Sequence, residues 1–198
     1  DMTADISIGN GSIEASSGSN AIVNTGLFFS GSNRTKTIVL DHDTINSDMI
    51  DTNNYSLSFF FKPVNVGRAG NPPQQIFGAG GSSNGFNAFI TQSKIITNFY
   101  ETPGKGSVTS ASIANNTMYH LVSTYENGEA KLYLNSELIQ TDNIDVGTIT
   151  GFSGKIHIGG FSSNQEYYMS SGSAPINFNG THQVYEGYLD EVRVYKGK

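Results

Sequence analysis

The sequence has no cysteine, no tryptophan and few charged residues. Without cysteine there can be no disulfide bond, no thiol nucleophile and no zinc site built on cysteine ligands. A chain of 198 residues does not need such crosslinks, because folding at this size buries about 70% of the surface that the unfolded chain exposes. The missing cysteine therefore excludes several kinds of site but leaves the compartment open.

Basic residues and long apolar runs are also scarce. The chain has 11 Lys and Arg against 17 Asp and Glu, and its formal net charge is -6. Nucleic-acid affinity depends on clustered Lys and Arg, and the sequence contains no such cluster. No apolar run approaches the roughly 20 residues that a membrane-spanning helix needs. We therefore expect neither a nucleic-acid partner nor membrane insertion.

What the chain does contain is glycine and uncharged polar residues. It has 23 glycines, and only 14% of its residues are charged. This composition favours turn-rich β structure over helix. Since β-sandwiches often reach about 200 residues as one unit, we predict a single domain over residues 1–198. The chain starts at Asp1 and ends at Lys198, just after the last predicted strand, so we expect a piece of a larger protein.

The clearest local pattern is a β-hairpin over residues 118–140. Polar and apolar residues alternate through HLVSTY, and the alternation resumes in KLYL after a turn. Asn127 and Gly128 are the residue types that a type I′ turn requires, because both central positions have positive φ. A second polar turn at Asn135 and Ser136 leads into the ELIQ segment. The pattern predicts a meander in an antiparallel sheet.

Other strands follow from the same reasoning. In the segment YSLSFFFK, period-two alternation puts Leu57, Phe59 and Phe61 on one face and Phe60 on the other, so we expect the first three in the core. Strands are predicted at residues 21–29, 37–40, 55–62, 75–79, 86–91, 95–100, 118–125, 130–135, 155–159 and 187–195, with an edge strand at 6–13 followed by a loop at 15–20. Irregular segments are predicted at 41–54, 64–74, 102–116 and 161–182.

Five segments resemble the laminin-G-like, concanavalin A-like jelly rolls, and they occur in that family's order. The segments are LFFSGS at 27–32, YSLSFFFKP at 55–63, the hairpin at 119–134, IHIGG at 156–160 and YEGYLDEVRVY at 185–195. The resemblance implies an all-β, concanavalin A-like jelly-roll sandwich of two antiparallel sheets. In this reading the hairpin, including His120 and Tyr133, belongs to the scaffold.

Calcium is the metal that this resemblance suggests, as a structural ion near Asp190. Because calcium takes six to eight oxygen ligands, a residue such as Asn10 would help to complete the shell. The alternative for Asp190 is a carboxylate paired with Arg193 or with a backbone amide. The relatives' aspartate at the Phe-Asp-Gly motif is Ser30 here.

A second acidic segment begins at Asp41 and Asp43. It starts like an EF-hand loop, but Asn46 replaces the required glycine and Thr52 replaces the final glutamate, so an EF-hand is excluded. The remaining readings are a calcium site of another kind, using Asp41 or Asp43, and an acidic surface loop.

Glycosidase chemistry needs two carboxylates that flank the scissile bond, about 5 to 5.5 Å apart in retaining enzymes. Glu186 and Asp190 share a face of the last strand, but their Cα atoms are roughly 13 Å apart at about 3.3 Å per residue. Asp190 and Glu191 point to opposite faces. The sequence therefore predicts no enzyme.

Sugar sites combine an aromatic platform with side chains that bond hydroxyl groups. Asn164, Gln165, Tyr167 and Tyr168 supply both within the long 161–182 segment. Further candidate ligands are Asn87 and Tyr100. The alternative is that Tyr167 and Tyr168 hold their loop against a sheet.

We therefore expect a non-catalytic, lectin-like carbohydrate-binding or adhesion domain of a larger extracellular protein. Its partners would be a glycan or another cell-surface or matrix ligand, together with the flanking domains of the parent protein. The first alternative is a protein-binding or structural spacer domain of a surface or fibre assembly. The second is a glycan-cleaving enzyme.

Overall fold

Strands make up most of the structure. The computed structural model describes residues 6–8, 14–16, 26–30, 37–40, 54–67, 73–81, 84–101, 105–143, 146, 156–160, 167–173 and 183–196. In these ranges there are strands and turns but no helix. The strands are β1 (Ile6–Ile8), β2 (Glu14–Ser16), β3 (Gly26–Ser30), β4 (Ile38–Leu40), β5 (Asn54–Pro63), β6 (Gln74–Gly80), β7 (Asn84–Thr91), β8 (Lys94–Glu101), β9 (Lys105–Ser112), β10 (Tyr119–Glu126), β11 (Glu129–Leu134), β12 (Glu137–Asp142), β13 (Ile156–Ile158), β14 (Gln183–Val184) and β15 (Glu186–Lys196).

The strands form two sheets. Sheet A has the order β1-β4-β13-β6-β7-β8-β9, and β14 lies beside β6. Sheet B has the order β12-β11-β10-β5-β15-β3-β2. Neighbouring strands run antiparallel, except that β14 pairs with β6 in parallel. The predicted all-β sandwich of two antiparallel sheets is confirmed.

The main core lies between the inner faces of the sheets. On β5 buried and half-buried residues alternate, with Leu57, Phe59 and Phe61 inside and Phe60 on the outer face, as predicted. Aromatic rings connect the two sheets: the ring of Phe99 on β8 stacks on that of Tyr125 on β10, with centroids 5.2 Å apart. Burying so many large side chains stabilises the fold without crosslinks.

The hairpin forms at the predicted turn. β10 pairs with β11 in antiparallel register, from Leu121 opposite Leu134 to Glu126 opposite Glu129. Asn127 and Gly128 have φ angles of 48° and 88°, as a type I′ turn requires. The second turn uses Asn135 and Ser136, also at positive φ, and leads into β12.

The prediction of an irregular segment at 102–116 was wrong, because residues 105–112 form β9. The strand was hard to recognise because its inward positions are small and polar. Thr109 Oγ1 lies 2.6 Å from Thr97 Oγ1 on β8, and Ser123 Oγ on β10 donates to Thr97 Oγ1 at 3.0 Å. These bonds satisfy the hydroxyl groups inside the sandwich, so β9 needs no alternation of large apolar residues.

The amino-terminal prediction was partly wrong. Of the predicted strand at 6–13 the structure describes β1 at 6–8, and residues 9–13 lie outside the described residues, whereas β2 includes Ala15 and Ser16 from the predicted loop. Glu14, Ala15 and Ser16 pair with β3 at the edge of sheet B, so sheet pairing sets their conformation despite the polar sequence.

The two sheets are joined along one side by a side-chain seam between β9 and β12. Val108 N and Ser107 Oγ each donate to Asp142 Oδ2 at 2.8 Å. Ser110 N donates to Gln140 Oε1, also at 2.8 Å. Side chains of one sheet thus bond the backbone edge of the other.

Candidate functional site

The outer face of sheet A is covered by the chain's own segment 167–173, and we call it the closed face. Tyr167 and Tyr168 pack there in a second hydrophobic cluster, separate from the main core, whose other buried members are Phe89, Ile96, Tyr100 and Val108. Tyr168 is 0% exposed. The Tyr167 ring meets Phe89 edge-on, with centroids 5.1 Å apart. The closed face is therefore interior.

Asn98 holds the segment in the way a neighbouring strand would. Tyr168 N donates to Asn98 Oδ1 at 3.0 Å, and Asn98 Nδ2 donates to Tyr168 O at 3.1 Å. The amide side chain thus satisfies both backbone polar groups of a buried residue, as burial requires.

Close packing and further hydrogen bonds complete the cover. Tyr167 Oη donates to Gln75 Oε1 at 2.5 Å, and burial raises the pKa of the Tyr167 hydroxyl well above its usual range. Tyr168 lies so close to Gly106 that a Cβ added there would come within 2.4 Å of the ring. Ser171 Oγ donates to Asp142 Oδ2, so the segment is also bonded to the seam.

The structure brings together four of the six predicted sugar ligands on this closed face. These are Tyr167, Tyr168, Tyr100 and Asn87, and all four are buried. In this arrangement the three tyrosines present no ring to solvent, and Tyr167 and Tyr168 hold the segment against the sheet, as the alternative described. A ligand role for them stays a prediction and requires the segment to leave the sheet. Asn164 and Gln165 lie outside the described residues.

Asp190 is the one predicted metal ligand that the structure describes, since Asn10, Asp41 and Asp43 lie outside the described residues. It sits where the register of β15 shifts against β5. Its Oδ1 accepts a hydrogen bond from Glu191 N at 2.9 Å, which matches the backbone-amide alternative.

The arrangement around Asp190 gives calcium no added support. Arg193 pairs with Glu191 at 2.8 Å. Within the described part of the chain, no three His, Cys, Asp or Glu side chains gather as metal ligands. Calcium binding stays a prediction.

The outer face of sheet B carries no such cover among the described residues, and we call it the open face. Its centre holds Phe60 and His120, which lie on neighbouring strands and stack with ring centroids 4.2 Å apart. Ser58 Oγ lies 3.0 Å from His120 Nε2. Desolvation, reinforced by the positive charge of Arg193 and opposed by Glu191, lowers the pKa of His120.

Beside this centre the open face has a depression of about 280 Å³. Its lining consists of Asn54, Tyr55, Ser56, Thr124, Tyr125, Glu126, Lys131 and Tyr133. Strand register places the polar members side by side, because Ser56 lies opposite Thr124 and Thr124 lies opposite Lys131. Hydroxyl, amide, carboxylate and ammonium groups thus lie near Tyr133 in one depression.

Two partly exposed tyrosines lie on the open face around this depression. Tyr133 on β11 is half-buried and has Val122 and Leu138 as its cross-strand neighbours. Tyr195 on β15 lies opposite Ser56 and is 47% exposed. Either ring can offer an apolar face to a ligand.

Charged side chains of both signs lie at the depression, which Glu126 and Lys131 line. Lys131 Nζ forms an ion pair with Glu129, and this hydrogen bond is the main reason that the pKa of Lys131 is raised. Glu126 lies opposite Glu129 across the hairpin. Two carboxylates therefore face one ammonium group.

The sequence interpretation placed Tyr133 in the scaffold and did not single out Glu126, Lys131 or Tyr195. A usable signal was nevertheless present. Leu132 and Leu134 point into the core, so alternation sends Lys131 and Tyr133 to the opposite face.

Family comparison identifies the class of protein. Residues 35–198 match the concanavalin A-like lectin/glucanases superfamily. The chain belongs to this family, and its two-sheet sandwich has the family's fold. Comparison with curated protein sequences finds no match.

Solved structures with this fold include botulinum neurotoxin binding domains. The serotype D ligand-binding domain in complex with N-acetylneuraminic acid is 16% identical, with a TM-score of 0.70, over 100% of this chain and 43% of that chain. The type G receptor-binding domain is 14% identical, with a TM-score of 0.65, over 100% and 44%. A third match, also 14% identical with a TM-score of 0.68 over 100% and 44%, is to botulinum neurotoxin type C, whose cell entry depends on interaction with two ganglioside molecules. This chain spans less than half the length of each, and the likeness concerns the fold.

The described residues contain no helix with the length and hydropathy needed to cross a membrane.

Proposed function

We propose that this protein is a non-catalytic carbohydrate-binding domain and that its glycan binds at the depression on the open face. The observation that carries the proposal is the lining of that depression. Tyr133 supplies an aromatic platform, while Asn54, Ser56, Thr124 and Glu126 supply groups that bond sugar hydroxyls.

Membership of a lectin and glucanase superfamily supports this proposal. The serotype D ligand-binding domain, which shares this fold over 43% of its chain, was solved with N-acetylneuraminic acid, and cell entry of type C depends on gangliosides, so a sandwich of this fold occurs in proteins that recognise glycans. We further propose that the domain acts outside the cell, as part of a larger protein, because glycans of surfaces and matrices are displayed there.

Glycan-array binding of the wild type and of Tyr133→Ala tests the site. We expect the wild type to bind a defined set of glycans and Tyr133→Ala to lose most of that signal. Tyr188→Ala is the matched control, because Tyr188 is a half-buried tyrosine of the same sheet face that packs against Phe28 and lies outside the depression.

Repeating the array with EDTA shows whether binding needs calcium. Absence of binding to any glycan, with and without calcium, would overturn the proposal. Equal loss of signal in Tyr133→Ala and Tyr188→Ala would overturn the assignment of the site.

A protein-binding domain is the second candidate, and one observation favours it. Leu138 and Ile139 on β12 are 49% and 42% exposed, and adjacent exposed apolar side chains often mark protein contacts. The variant Ile139→Ser separates the two functions, because Leu138, and not Ile139, is the cross-strand neighbour of Tyr133. It should leave glycan binding intact if the depression is the site, whereas loss of self-association or partner capture would favour protein binding.

A further inference from the structure

We infer that the ligand is an uncharged glycan chain long enough to contact both Tyr133 and Tyr195. This inference rests on the proposed function and specifies the class of glycan. It follows from the spacing of the two tyrosines, from the polar residues between them and from the charge of the depression.

The spacing comes from strand register. Tyr133 aligns through Val122 with Ser58, whereas Tyr195 aligns with Ser56, two residues earlier on β5. With neighbouring strands about 4.8 Å apart and a rise of about 3.4 Å per residue, three strand steps and two residues separate the tyrosine positions by roughly 16 Å. A single sugar ring cannot span that distance, so a monosaccharide would contact one tyrosine at a time.

The surface between the two rings can bind hydroxyl groups along a chain. Ser56 and Thr124 lie directly opposite one another, on the two strands that separate β11 from β15. Both line the depression, together with Asn54 at its end. Hydroxyl groups both donate and accept hydrogen bonds and an amide nitrogen donates them, which suits the hydroxyls of successive sugars.

The charges disfavour acidic sugars. Lys131 is paired with Glu129, and Glu126 is a second carboxylate beside the same ammonium group, so two carboxylates lie next to one cation here. The net charge of the whole chain, -6, has the same sign. A uronate, sulfate or N-acetylneuraminate group would therefore meet repulsion here, in contrast to the N-acetylneuraminic acid seen with the serotype D domain.

Calorimetric titration with neutral and acidic oligosaccharides of matched length tests both parts of the inference, which are the absence of charge on the ligand and its length. The first series is neutral cello-oligosaccharides and malto-oligosaccharides from disaccharide to hexasaccharide, and the second is oligogalacturonates of the same lengths. We expect affinity in a neutral series to rise with length and the uronates to bind more weakly at every length.

Three variants connect these results to the site. Tyr195→Ala should remove the rise with length, so that it weakens the binding of the hexasaccharide more than that of the disaccharide. Tyr133→Ala should weaken binding at all lengths. Glu126→Gln should raise the affinity for uronates relative to neutral chains about threefold at low salt. This is the effect expected from removing a unit charge about 6 Å from the ligand's carboxylate in water. Added salt should reduce the gain, because it screens the interaction.

The outcomes separate this inference from the proposed function. Tighter binding of uronates than of neutral chains, still dependent on Tyr133, would overturn the charge argument and leave the carbohydrate site standing. Affinity that is independent of length, or a Tyr195→Ala variant that keeps the full rise, would overturn the two-tyrosine argument. If no glycan binds in either series or on the array, the proposed function itself fails.

Discussion

The two outer faces of this sandwich carry similar residues and put them to different uses. The closed face of sheet A has tyrosines, asparagines and a glutamine, all buried under the segment 167–173. The open face of sheet B has tyrosines, hydroxyls and a carboxylate that line a depression. Composition alone therefore does not identify a binding surface, because the same side chains that bind a sugar can equally hold a loop in place.

What distinguishes the faces is how their polar groups are satisfied. On the closed face Asn98 bonds both backbone groups of Tyr168, and Gln75 accepts from Tyr167. On the open face Tyr133 and Tyr195 keep part of their surface in water. A substitution on the closed face should therefore affect stability, and one on the open face should affect binding.

Removing an aromatic ring from the closed face should have the largest effect on stability. Tyr168→Ala deletes a fully buried aromatic side chain, which we expect to lower the free energy of unfolding by about 3 to 5 kcal/mol. Tyr195→Ala on the open face should change it by less than about 0.5 kcal/mol. Chemical denaturation measures both, and equal losses would erase the distinction between the faces.

Asn98→Ala should cause the next largest loss of stability. It leaves Tyr168 N and Tyr168 O without their partner in a buried position, at a cost of about 3 kcal/mol for the two groups together. Exposed Asn143→Ala is the control and should be nearly neutral. An Asn98→Ala variant as stable as the control would mean that the segment does not depend on this side chain.

Asp142→Ala should lower stability by about 2 kcal/mol. Its Oδ2 accepts from Val108 N, Ser107 Oγ and Ser171 Oγ, so the change loosens the seam and the cover of the closed face together. Asp142→Asn should be milder, because an amide oxygen can still accept. Proteolysis near residue 171 compares the variants, and cleavage no faster than in the wild type would argue against this coupling.

The smallest effect should come from the open face, through pH. Because the folded-state pKa of His120 lies below its unfolded value near 6.5, the unfolded state binds this proton more readily. The stability contribution of His120 is therefore fully present above pH 6.5 and is lost as the pH falls towards the folded-state pKa. Between pH 7.5 and pH 5.5 the melting temperature should fall slightly more for the wild type than for His120→Gln. The opposite order would mean that the pKa is raised.

The parts of the fold that the sequence predicted are those governed by local chemistry. Asn127 and Gly128 specify their turn wherever they occur between two alternating segments, and the alternation in β5 separates Phe59 from Phe60 without reference to any other strand. Strand β9 lacked such a signal, because its inward Thr109 is satisfied by Thr97 and Ser123 from other strands.

The candidate site was harder to predict, because exposure depends on contacts between distant residues. Tyr168 is bonded by Asn98, 70 residues away, and Tyr167 by Gln75, 92 residues away. No pattern around the two tyrosines indicates that these partners exist. On the open face the alternation around Tyr133 was readable, but whether the surface was covered could be learned only from the packing of the chain.

The seam between β9 and β12 also bears on self-association. Strand β9 ends sheet A, and an unprotected end strand offers its backbone to any other extended chain, which is a route to domain swapping and fibrils. Here Gln140 and Asp142 occupy the amides of Ser110 and Val108, and the amide of Gly172 bonds the carbonyl of Gly106 at 3.1 Å. A second molecule would have to break these bonds before it could extend the sheet. The same contacts that unite the sandwich thus also favour its remaining monomeric at this edge.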